Sequence, residues 1–421
     1  MITLEEARGF VLPAFSALAP RQVAIGAALG CVLAEEVMAN EPIPPFANSA
    51  MDGYALRAED TAAAPSRLAV VGSVMAGEHS GVAVGAGEAV RIMTGAPLPP
   101  GADAVCMIER TRTQDDATVV VEVAVDAGAN VRYPGEDIAS GETVFGAGTS
   151  LSPGHVGVLA ALGMETVLVH PRPLVGVLST GDELVEGGAA LPPGKIRDSN
   201  RHALLAQVRQ SNFEAVDLGI VRDDAHELAK AFERGAARCD ALVTTGGVSV
   251  GDLDMVKVVL DKLSGGSMRW MQVAVKPGKP LAFGTLAATG TPVLGLPGNP
   301  VSALVSFELF ARPALRRMAG QRRLGRPVLA GVAEVDLRRP SDGKLHLVRA
   351  IATADASGTV LVRPSGRQKS HMLRAMAEAN CLALLPDGEG VAAGGHVALW
   401  LLDADRLAPE SEGCDAPDGV S

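Results

Sequence analysis

Short apolar runs alternate with segments of helical spacing through the middle of the chain, from Arg172 to about Ala319. The apolar runs have the length of strands and cover 174–178, 214–218, 241–243 and 292–296. Helices are predicted over 200–209, 225–237 and 300–318, the last with Asn299 as N-cap and Pro300 in its first turn. This alternation predicts a parallel sheet with helices on both faces, and ligands bind such sheets at the carboxyl ends of the strands.

The flanking segments have other patterns. Thr3 and Glu6 form a capping-box pattern in a first stretch of 40 residues that has helical character, and a second helix is predicted over 26–32. Val-rich runs separated by Gly, Pro and Asp predict β structure over 68–145, and 153–162 is helical again. Runs at 345–350, 359–362 and 397–402 predict a small barrel or sandwich.

The chain is therefore predicted to be an α/β multidomain protein, since 421 residues exceed one ordinary core. The predicted parts are a helical scaffold segment (1–45 and 141–171), a β-rich lobe (46–140), an α/β domain (172–319), a C-terminal β domain (320–405) and a polar, acidic, disordered tail (406–421).

Composition narrows the class of protein. Hydrophobic residues make up 48% and aromatics only 3%, so the core must be built largely from Ala, Val and Leu. The mean hydropathy of +0.23 raises the question of a membrane protein, but Glu165, His170 and Arg172 interrupt the apolar stretch 156–178. The first six residues also lack the features of a secretion signal. We expect a cytoplasmic protein that has no membrane partner.

Charge and cysteine usage exclude further classes. The net charge of −11 and the absence of basic runs with interleaved aromatics argue against a nucleic-acid partner. Five scattered cysteines without a CxxC pair indicate neither a zinc site nor a disulfide framework. Any anion site must therefore be local. Lys276 and Lys279 are notable for this reason, because only eight of the 37 basic residues are lysines.

Three loops between Leu242 and Ser302 have the composition of phosphate-binding loops. Residues 244–254 contain three glycines, three hydroxyl residues and two aspartates, 276–280 contains the two lysines, and 297–302 opens a helix toward an anion. An earlier loop, 179–183, adds adjacent carboxylates, Asp182 and Glu183, that suit Mg²⁺. Each loop alone is compatible with an ordinary turn. Together they predict a nucleotide or another polyanion.

No Ser/His/Asp or Cys/His pattern stands out, and metal-assisted chemistry on a phosphoanhydride needs no protein nucleophile. Polar clusters at 48–55, 132–137 and 363–371 are further candidates for the edges of a site, with solvated loops as the alternative.

Seven segments resemble the MoeA family of molybdopterin molybdenumtransferases, to which the E domain of gephyrin is related. They are 49–55 (SAMDGYA), 91–97 (RIMTGAP), 135–138 (GEDI), 179–184 (STGDEL), 246–251 (GGVSVG), 276–280 (KPGKP) and 297–302 (PGNPVS). Each motif is weak alone, but they occur in the family's order over nearly the full length, and the ordered set is specific.

The resemblance implies an activity and an architecture. The enzyme would insert molybdate into adenylylated molybdopterin and release AMP, with Mg²⁺ or a similar cation required. The fold would comprise a MogA-like doubly wound α/β domain, a helical scaffold with an inserted β lobe, and a C-terminal β-barrel. A homodimer would form its cleft between the α/β domain of one subunit and the N-terminal lobe of the other. The adenylyltransferase of the preceding step and acceptor molybdoenzymes are the implied protein partners.

The resemblance also assigns residues by matching positions. Catalytic roles fall to Asp52, Thr94, Asp137, Glu183 and Asp254, and metal binding falls to Asp182, Glu183, Asp223 and Asp254. Substrate binding falls to Arg132, Thr180, Gly246, Gly247, Ser249, Gly251, Lys276, Lys279, Pro297, Asn299, Ser302, Arg349 and Ser370. Lys276, Lys279, Ser302, Arg349 and Ser370 match the family's molybdate pocket. Before Ser370 this chain has Gln368-Lys369, where the family often has glycine.

Two alternatives stay open at this point. Adenylylation of molybdopterin by ATP is the first, because the α/β domain resembles enzymes of that reaction, although the extra lobe and barrel argue against it. A non-catalytic scaffold like gephyrin is the second, although the chain lacks the long linker and second enzyme domain of those relatives.

Overall fold

The structure, a computed structural model, describes residues 1–78, 81–115, 117–188, 190–247 and 255–408. It divides into two units. The first comprises Met1–Arg21, Gly30–Val32 and the chain from Val169 onward, and the second comprises Gln22–Leu29 and Leu33–Leu168. No helix in the described part of the chain combines the length and apolar character that a membrane span needs. The tail predicted to be disordered begins at 406, and its residues from 409 onward lie outside the described part of the chain.

A six-stranded sheet forms the centre of the first unit. Its order is Glu214–Val221, Leu174–Thr180, Ala241–Thr245, Pro292–Leu296, Pro280–Thr285 and Arg269–Gln272. The first four strands are parallel, and the last two are antiparallel to their neighbours. The prediction of a parallel sheet is therefore wrong at one edge. The segment 273–279 is too short for the crossover helix that a parallel connection needs, so the chain returns as a hairpin.

Helices cover both faces of this sheet, because side chains alternate along each strand. Val177 and Val243 face the helix Asn200–Gln210 and the helical run that starts at Pro300. Leu178 and Leu242 face the other way, toward Ala225–Ala236 and Met255–Leu263. The run from Pro300 consists of α-helical Pro300–Ser306, a π-helical turn Phe307–Ala311 and α-helical Arg312–Met318. The doubly wound layers are thus confirmed.

The N-terminal helix Leu4–Val11 belongs to the first unit. Thr3 and Glu6 form the predicted capping box: the Thr3 hydroxyl accepts from the Glu6 N–H, and the Thr3 N–H donates to the Glu6 carboxylate. Helical character does not continue, however, and the prediction of a helix over 26–32 is wrong. Only a 3-10 turn, Ile25–Ala27, forms there, and Gly30 at φ +75° lies in the left-handed region that ends helices.

Five strands close into the predicted C-terminal barrel. Their order is Leu345–Ala354, Val360–Pro364, Val328–Ala333, His396–Leu401 and Cys381–Leu385, which pairs again with the first. The helix Leu373–Glu378 lies between the second and last of these in sequence. Along Leu345–Ala354, Ala350 and Ala352 fill the barrel, whereas Leu347 packs with the core of the α/β domain. Arg349 has the same parity as Leu347, so alternation directs it out of the barrel.

The second unit contains a sheet of Ala104–Met107, Gly53–Leu56, Glu88–Ile92, Ser66–Val74, Thr118–Val121 and Thr111–Asp115, in that order. Two short pairs accompany it, Asn48–Ser49 with Val131–Arg132 and Val37–Met38 with Thr143–Phe145. The helix Pro153–Ala161 forms where 153–162 was predicted. The predicted boundaries at 45/46 and 140/141 both lie inside this unit and stay predictions.

Candidate functional site

Loops that follow the parallel strands meet at one edge of the central sheet. Leu174–Thr180, Ala241–Thr245 and Pro292–Leu296 are adjacent and parallel, so the segments after them lie side by side. Gly246 has φ +92°, and a Cβ there would lie 2.5 Å from the carbonyl oxygen of Thr180. Only glycine allows this close approach of the loop to the neighbouring strand end.

A small cavity of about 70 Å³ opens at this edge. Its lining includes the predicted site residues Thr180, Glu183 and Gly246, and Gly247 follows directly with φ +64°. Among the described residues, the buried hydroxyls of Thr180 and Thr244 have no hydrogen-bond partner. Buried hydroxyls are normally paired. The hydroxyl of Thr180, which lines the cavity, is therefore available to a polar ligand.

Asn200 is a site residue that the sequence patterns do not single out. Its side-chain Nδ2 donates to Thr245 Oγ1 at 2.9 Å and to the Gly298 carbonyl at 2.7 Å. Thr245 Oγ1 in turn donates to the carbonyl of Pro297 at 3.0 Å. These bonds hold two loops to the start of one helix. The polar run 198–200 before a helical pattern was the available signal, and by itself it indicates only a helix cap.

Arg201, also missed, fixes the wall of this cavity. It is buried and donates from Nε to Asp198 Oδ2 at 2.9 Å, with further ion pairs to Asp217 and Glu186. Asp198 accepts in addition from Ser179 Oγ at 3.0 Å. The network joins the strand Leu174–Thr180, through Ser179, to the helix Asn200–Gln210.

The predicted metal ligands are only partly brought together. Asp182 Oδ1 accepts from the backbone N–H of Asp223 at 3.3 Å, so these two residues are neighbours although 41 positions apart. Within the described ranges, no group of three or more His, Cys, Asp or Glu side chains is arranged to hold a metal. Asp254, Ser249 and Gly251 lie outside the described residues, and their roles stay predictions.

A second cavity, of about 600 Å³, contains most of the residues that match the molybdate pocket. It is lined by Val275, Lys276, Pro277, Gly278, Lys279, Pro280, Asn299, Ser302, Lys344, Gln368, Lys369, Ser370 and His371. Four of the eight lysines of an acidic chain thus line one cavity. Lys344 is paired with Asp342 at 2.8 Å, but no ion pair found among the described residues includes the other three. The excess positive charge favours an anion.

The lysine loop lies between the helix Pro300–Ser306 and the barrel. A short strand, Val275–Lys276, pairs in parallel with Leu345–Ala354, which sets Lys276 opposite His346. Gly278 has φ +100°, and a Cβ there would lie 2.8 Å from Ser306 Oγ. Glycine at 278 is therefore required both by the turn and by the helix against which it packs.

Arg349 is the most unusual residue near this cavity. It is 1% exposed, and its Nη2 donates to the carbonyls of Arg367 at 3.0 Å and Lys369 at 3.3 Å. Within the described part of the chain, its Nε has no hydrogen-bond partner and no ion pair includes it. Burial lowers the pKa of its guanidinium to about 10. A buried cation without a carboxylate is costly, and an anionic ligand would remove that cost.

Two serines complete the pocket. Ser302 lies in the first turn of the helix Pro300–Ser306 and is almost fully buried. The carbonyl of Ser370 accepts from the N–H of Val301 at 3.2 Å, so the barrel loop is fastened to the start of that helix. The structure thus brings Lys276, Lys279, Asn299, Ser302 and Ser370 to one cavity, with the loop of Ser370 held by Arg349.

The predicted residues of the second unit form a separate group. Asp52 Oδ1 accepts from the Thr94 N–H at 2.7 Å and from its hydroxyl at 2.8 Å. These bonds lower the pKa of the Asp52 carboxyl. Arg132 pairs with Asn48 in a neighbouring short ladder, and the Asp137 N–H donates to the Ile43 carbonyl at 3.0 Å. The cleft role of these four residues stays a prediction.

Comparison with known proteins covers nearly the whole chain. Residues 2–163 match the MoeA N-terminal region (domain I and II), residues 176–317 match a probable molybdopterin binding domain, and residues 332–402 match the MoeA C-terminal region (domain IV). A molybdopterin molybdenumtransferase of Haemophilus influenzae is 37% identical over 404 residues, which is 95% of this chain and 98% of that protein. This chain belongs to the MoeA family.

Further relatives agree with that membership. Molybdopterin molybdenumtransferase 2 of Mycobacterium tuberculosis is 39% identical over 409 residues, covering 95% of this chain and 99% of that protein. The crystal structure of the molybdopterin biosynthesis MoeA protein from Pyrococcus horikoshii has a TM-score of 0.78 at 29% identity, over 95% of this chain and all of that one. The resemblance and the fold class are confirmed, as is a role as a transferase in molybdenum cofactor biosynthesis.

Proposed function

We propose that this protein inserts molybdate into adenylylated molybdopterin and releases AMP, forming the molybdenum cofactor. The relatives that match over nearly their full length are named molybdopterin molybdenumtransferases. The observation that carries the proposal is the pair of cavities beside the start of one helix, since Pro300 lines the small one while Asn299 and Ser302 line the large one. Two anions bound there would lie near each other and near the positive end of the helix.

The two cavities suit different anions. The small one offers glycine backbone and the unpaired hydroxyl of Thr180 at a strand end, which suit the adenylyl phosphate. The large one offers ammonium and hydroxyl groups, which suit a dianion with four acceptor oxygens, and the guanidinium of Arg349 is bonded to the carbonyl of Lys369, one of its lining residues. Molybdate would therefore bind between the lysine loop, the helix start and the loop of Ser370.

A magnesium ion at the nucleotide end is part of the proposal. Mg²⁺ is commonly held by one or two carboxylates together with waters and substrate phosphates, and the neighbouring Asp182 and Asp223 fit that requirement. Glu183 and, from the sequence, Asp254 are the further candidates. The ion would supply charge neutralisation at the phosphoanhydride. The roles of Asp52, Thr94, Arg132 and Asp137 in the cleft are proposed on the family match alone.

Release of AMP tests the proposal directly. Purified protein is mixed with adenylylated molybdopterin, molybdate and Mg²⁺, and AMP is quantified by chromatography. We expect release that needs both added ions, and the absence of any AMP would refute the function. Asp254→Ala should impair turnover, which tests a residue outside the described ranges.

Lys279→Ala tests the molybdate assignment. Loss of one charge-assisted hydrogen bond is worth about 1.5–3 kcal/mol, so the molybdate KM should rise roughly 10- to 100-fold. Lys262→Ala is a matched control, since Lys262 is an exposed lysine at the end of Met255–Leu263, away from both cavities. Equal KM values in the two variants would remove Lys279 from the pocket.

The two alternatives are not favoured, because the full-length relatives carry the name of the transferase. An adenylyltransferase would consume ATP, so an ATP-consumption assay distinguishes it from the proposed enzyme. A non-catalytic scaffold would release no AMP in the assay described above. The homodimer with its inter-subunit cleft, the cytoplasmic location and transfer to molybdoenzymes are proposals that rest on the resemblance. Sedimentation equilibrium tests the first of them, and a monomer at assay concentration would refute it.

A further inference from the structure

Gln368 makes an unusual set of contacts with Arg349. Its side-chain Oε1 accepts from the backbone N–H of Arg349 at 3.0 Å, and its Nε2 donates to the backbone carbonyl of Arg349 at 3.0 Å and to that of Gly366 at 2.8 Å. Only this orientation of the amide satisfies all three partners, because a flipped amide would set donor against donor. The side chain thus binds both backbone groups of one residue.

These contacts continue a sheet ladder beyond its end. The strands Leu345–Ala354 and Val360–Pro364 pair up to Ala350 and Pro364. After Pro364 the second strand leaves the ladder, so the backbone N–H and carbonyl of Arg349 need other hydrogen-bond partners. Ser365 supplies two donors to the Arg349 carbonyl, at 3.0 and 3.1 Å, and Gln368 Oε1 accepts from its N–H. The amide of Gln368 therefore takes the place of a strand peptide.

The same short loop grips the guanidinium of Arg349. The carbonyls on either side of Gln368, those of Arg367 and Lys369, accept from Arg349 Nη2. Fixing Gln368 to the backbone of Arg349 therefore also fixes the two carbonyls that orient its guanidinium. The loop continues into Ser370, which lines the large cavity and is fastened to Val301.

We propose that Gln368 is a positioning residue for molybdate binding: its amide clamps the 365–370 loop to Arg349, and so holds the guanidinium and Ser370 in register with the lysine loop. This role rests on the proposed function, and it goes beyond the matched positions because Gln368 belongs to the stretch in which the chain departs from the family pattern. Gln368 acts through Arg349 and Ser370 and needs no contact with the reacting atoms.

Two variants separate hydrogen bonding from packing. Gln368→Ala removes the amide and the side-chain volume, whereas Gln368→Met removes the amide and keeps the volume. Both should raise the molybdate KM about tenfold or more, the effect of losing an aligned charged donor. Neither should change the KM for adenylylated molybdopterin or kcat at saturating molybdate. Titration calorimetry with molybdate alone should show the same loss of affinity.

Arg374→Ala is the matched control, because this cation lies on the adjacent helix, is highly exposed and forms an ion pair with Glu378. It should behave as wild type. If Gln368→Met kept wild-type molybdate affinity, the amide would have no positioning role. A fall in kcat with unchanged KM in both variants would also overturn it. Wild-type protein that released no AMP would instead refute the proposed function, so the two failures are distinguishable.

Discussion

Replacing Arg349 by methionine should leave the stability of the protein nearly unchanged, while it abolishes molybdate binding. The guanidinium is 1% exposed, and burial lowers its pKa from 12.5 to about 10. At about 1.36 kcal/mol per pKa unit, keeping this group charged destabilises the folded protein by roughly 3 kcal/mol. Removal of the two Nη2 hydrogen bonds costs about 1.5 kcal/mol each, the low end for a charged donor. The two effects therefore nearly cancel.

Denaturant unfolding of wild type and Arg349→Met measures this balance. Folding lowers the pKa of the Arg349 guanidinium, so its burial destabilises the folded protein at every pH below the pKa of the folded state. This destabilisation disappears only as the pH rises past the pKa of the unfolded state. The difference between the two proteins should therefore be constant from about pH 6 to pH 9. Molybdate at a hundredfold excess over its Kd should stabilise wild type by about 2.7 kcal/mol and leave the variant unchanged.

Arg201→Met is the control for burial of an arginine. Arg201 is equally buried but has three carboxylate partners, so its loss leaves Asp198 unpaired in the interior. Breaking such a pair costs about 3–5 kcal/mol. A loss of similar size in Arg349→Met would refute the reasoning, because it would mean that the Arg349 charge is compensated in the free protein.

Further predictions concern the loops and the carboxylates. Gly278→Ala should lower stability by about 1–3 kcal/mol and raise the molybdate KM, whereas Gly290→Ala, at φ +71° with open space around it, should lower stability only; equal KM values would contradict the packing argument. Asp182→Asn should raise the Mg²⁺ concentration needed for half-maximal AMP release, and an unchanged Mg²⁺ dependence would exclude Asp182 as a ligand. Asp52→Asn should lower turnover. The Thr94 hydrogen bonds stabilise the wild-type protein at pH values above about 4, where the Asp52 carboxyl is ionised in the unfolded chain as well, and this stability is lost as the pH falls through the lowered pKa of Asp52 in the folded protein. Asp52→Asn should lack this contribution. If both proteins unfolded at the same acid pH, the result would argue against the Thr94 contacts.

Long periodic segments were predictable from the sequence. The strand Pro292–Leu296 and the helices Ala225–Ala236 and Asn200–Gln210 form where their patterns indicate. The hairpin strand Arg269–Gln272 was not predicted, because four residues with two charged or polar ends carry no clear period. The helix predicted over 26–32 does not form, because Gly30 has a left-handed backbone conformation, which the spacing of apolar residues does not reveal.

The candidate site was predictable where composition is distinctive. Lysines are rare in this chain, so the 276–279 pair was visible from the sequence, and the structure adds Lys344 and Lys369 from distant segments. Arg349 was identified as a site residue only through the family resemblance, since a single arginine in an apolar strand does not by itself indicate a binding site. Its burial and its missing carboxylate exist only once the barrel strand packs against the α/β domain. Asn200 and Gln368 act through backbone carbonyls, which no sequence motif records.

The barrel strand Leu345–Ala354 explains why the α/β domain alone would not form both cavities. That strand pairs with the lysine loop at His346 and, three residues later, presents Arg349 on its outer face. Gln368 and Ser370 follow from the next barrel strand, and Ser370 closes onto the helix that begins at Pro300. The small cavity needs only loops of the central sheet, whereas the large one needs the barrel as its second wall. The barrel thus creates the second cavity beside the first, which is where the proposed function requires a second anion.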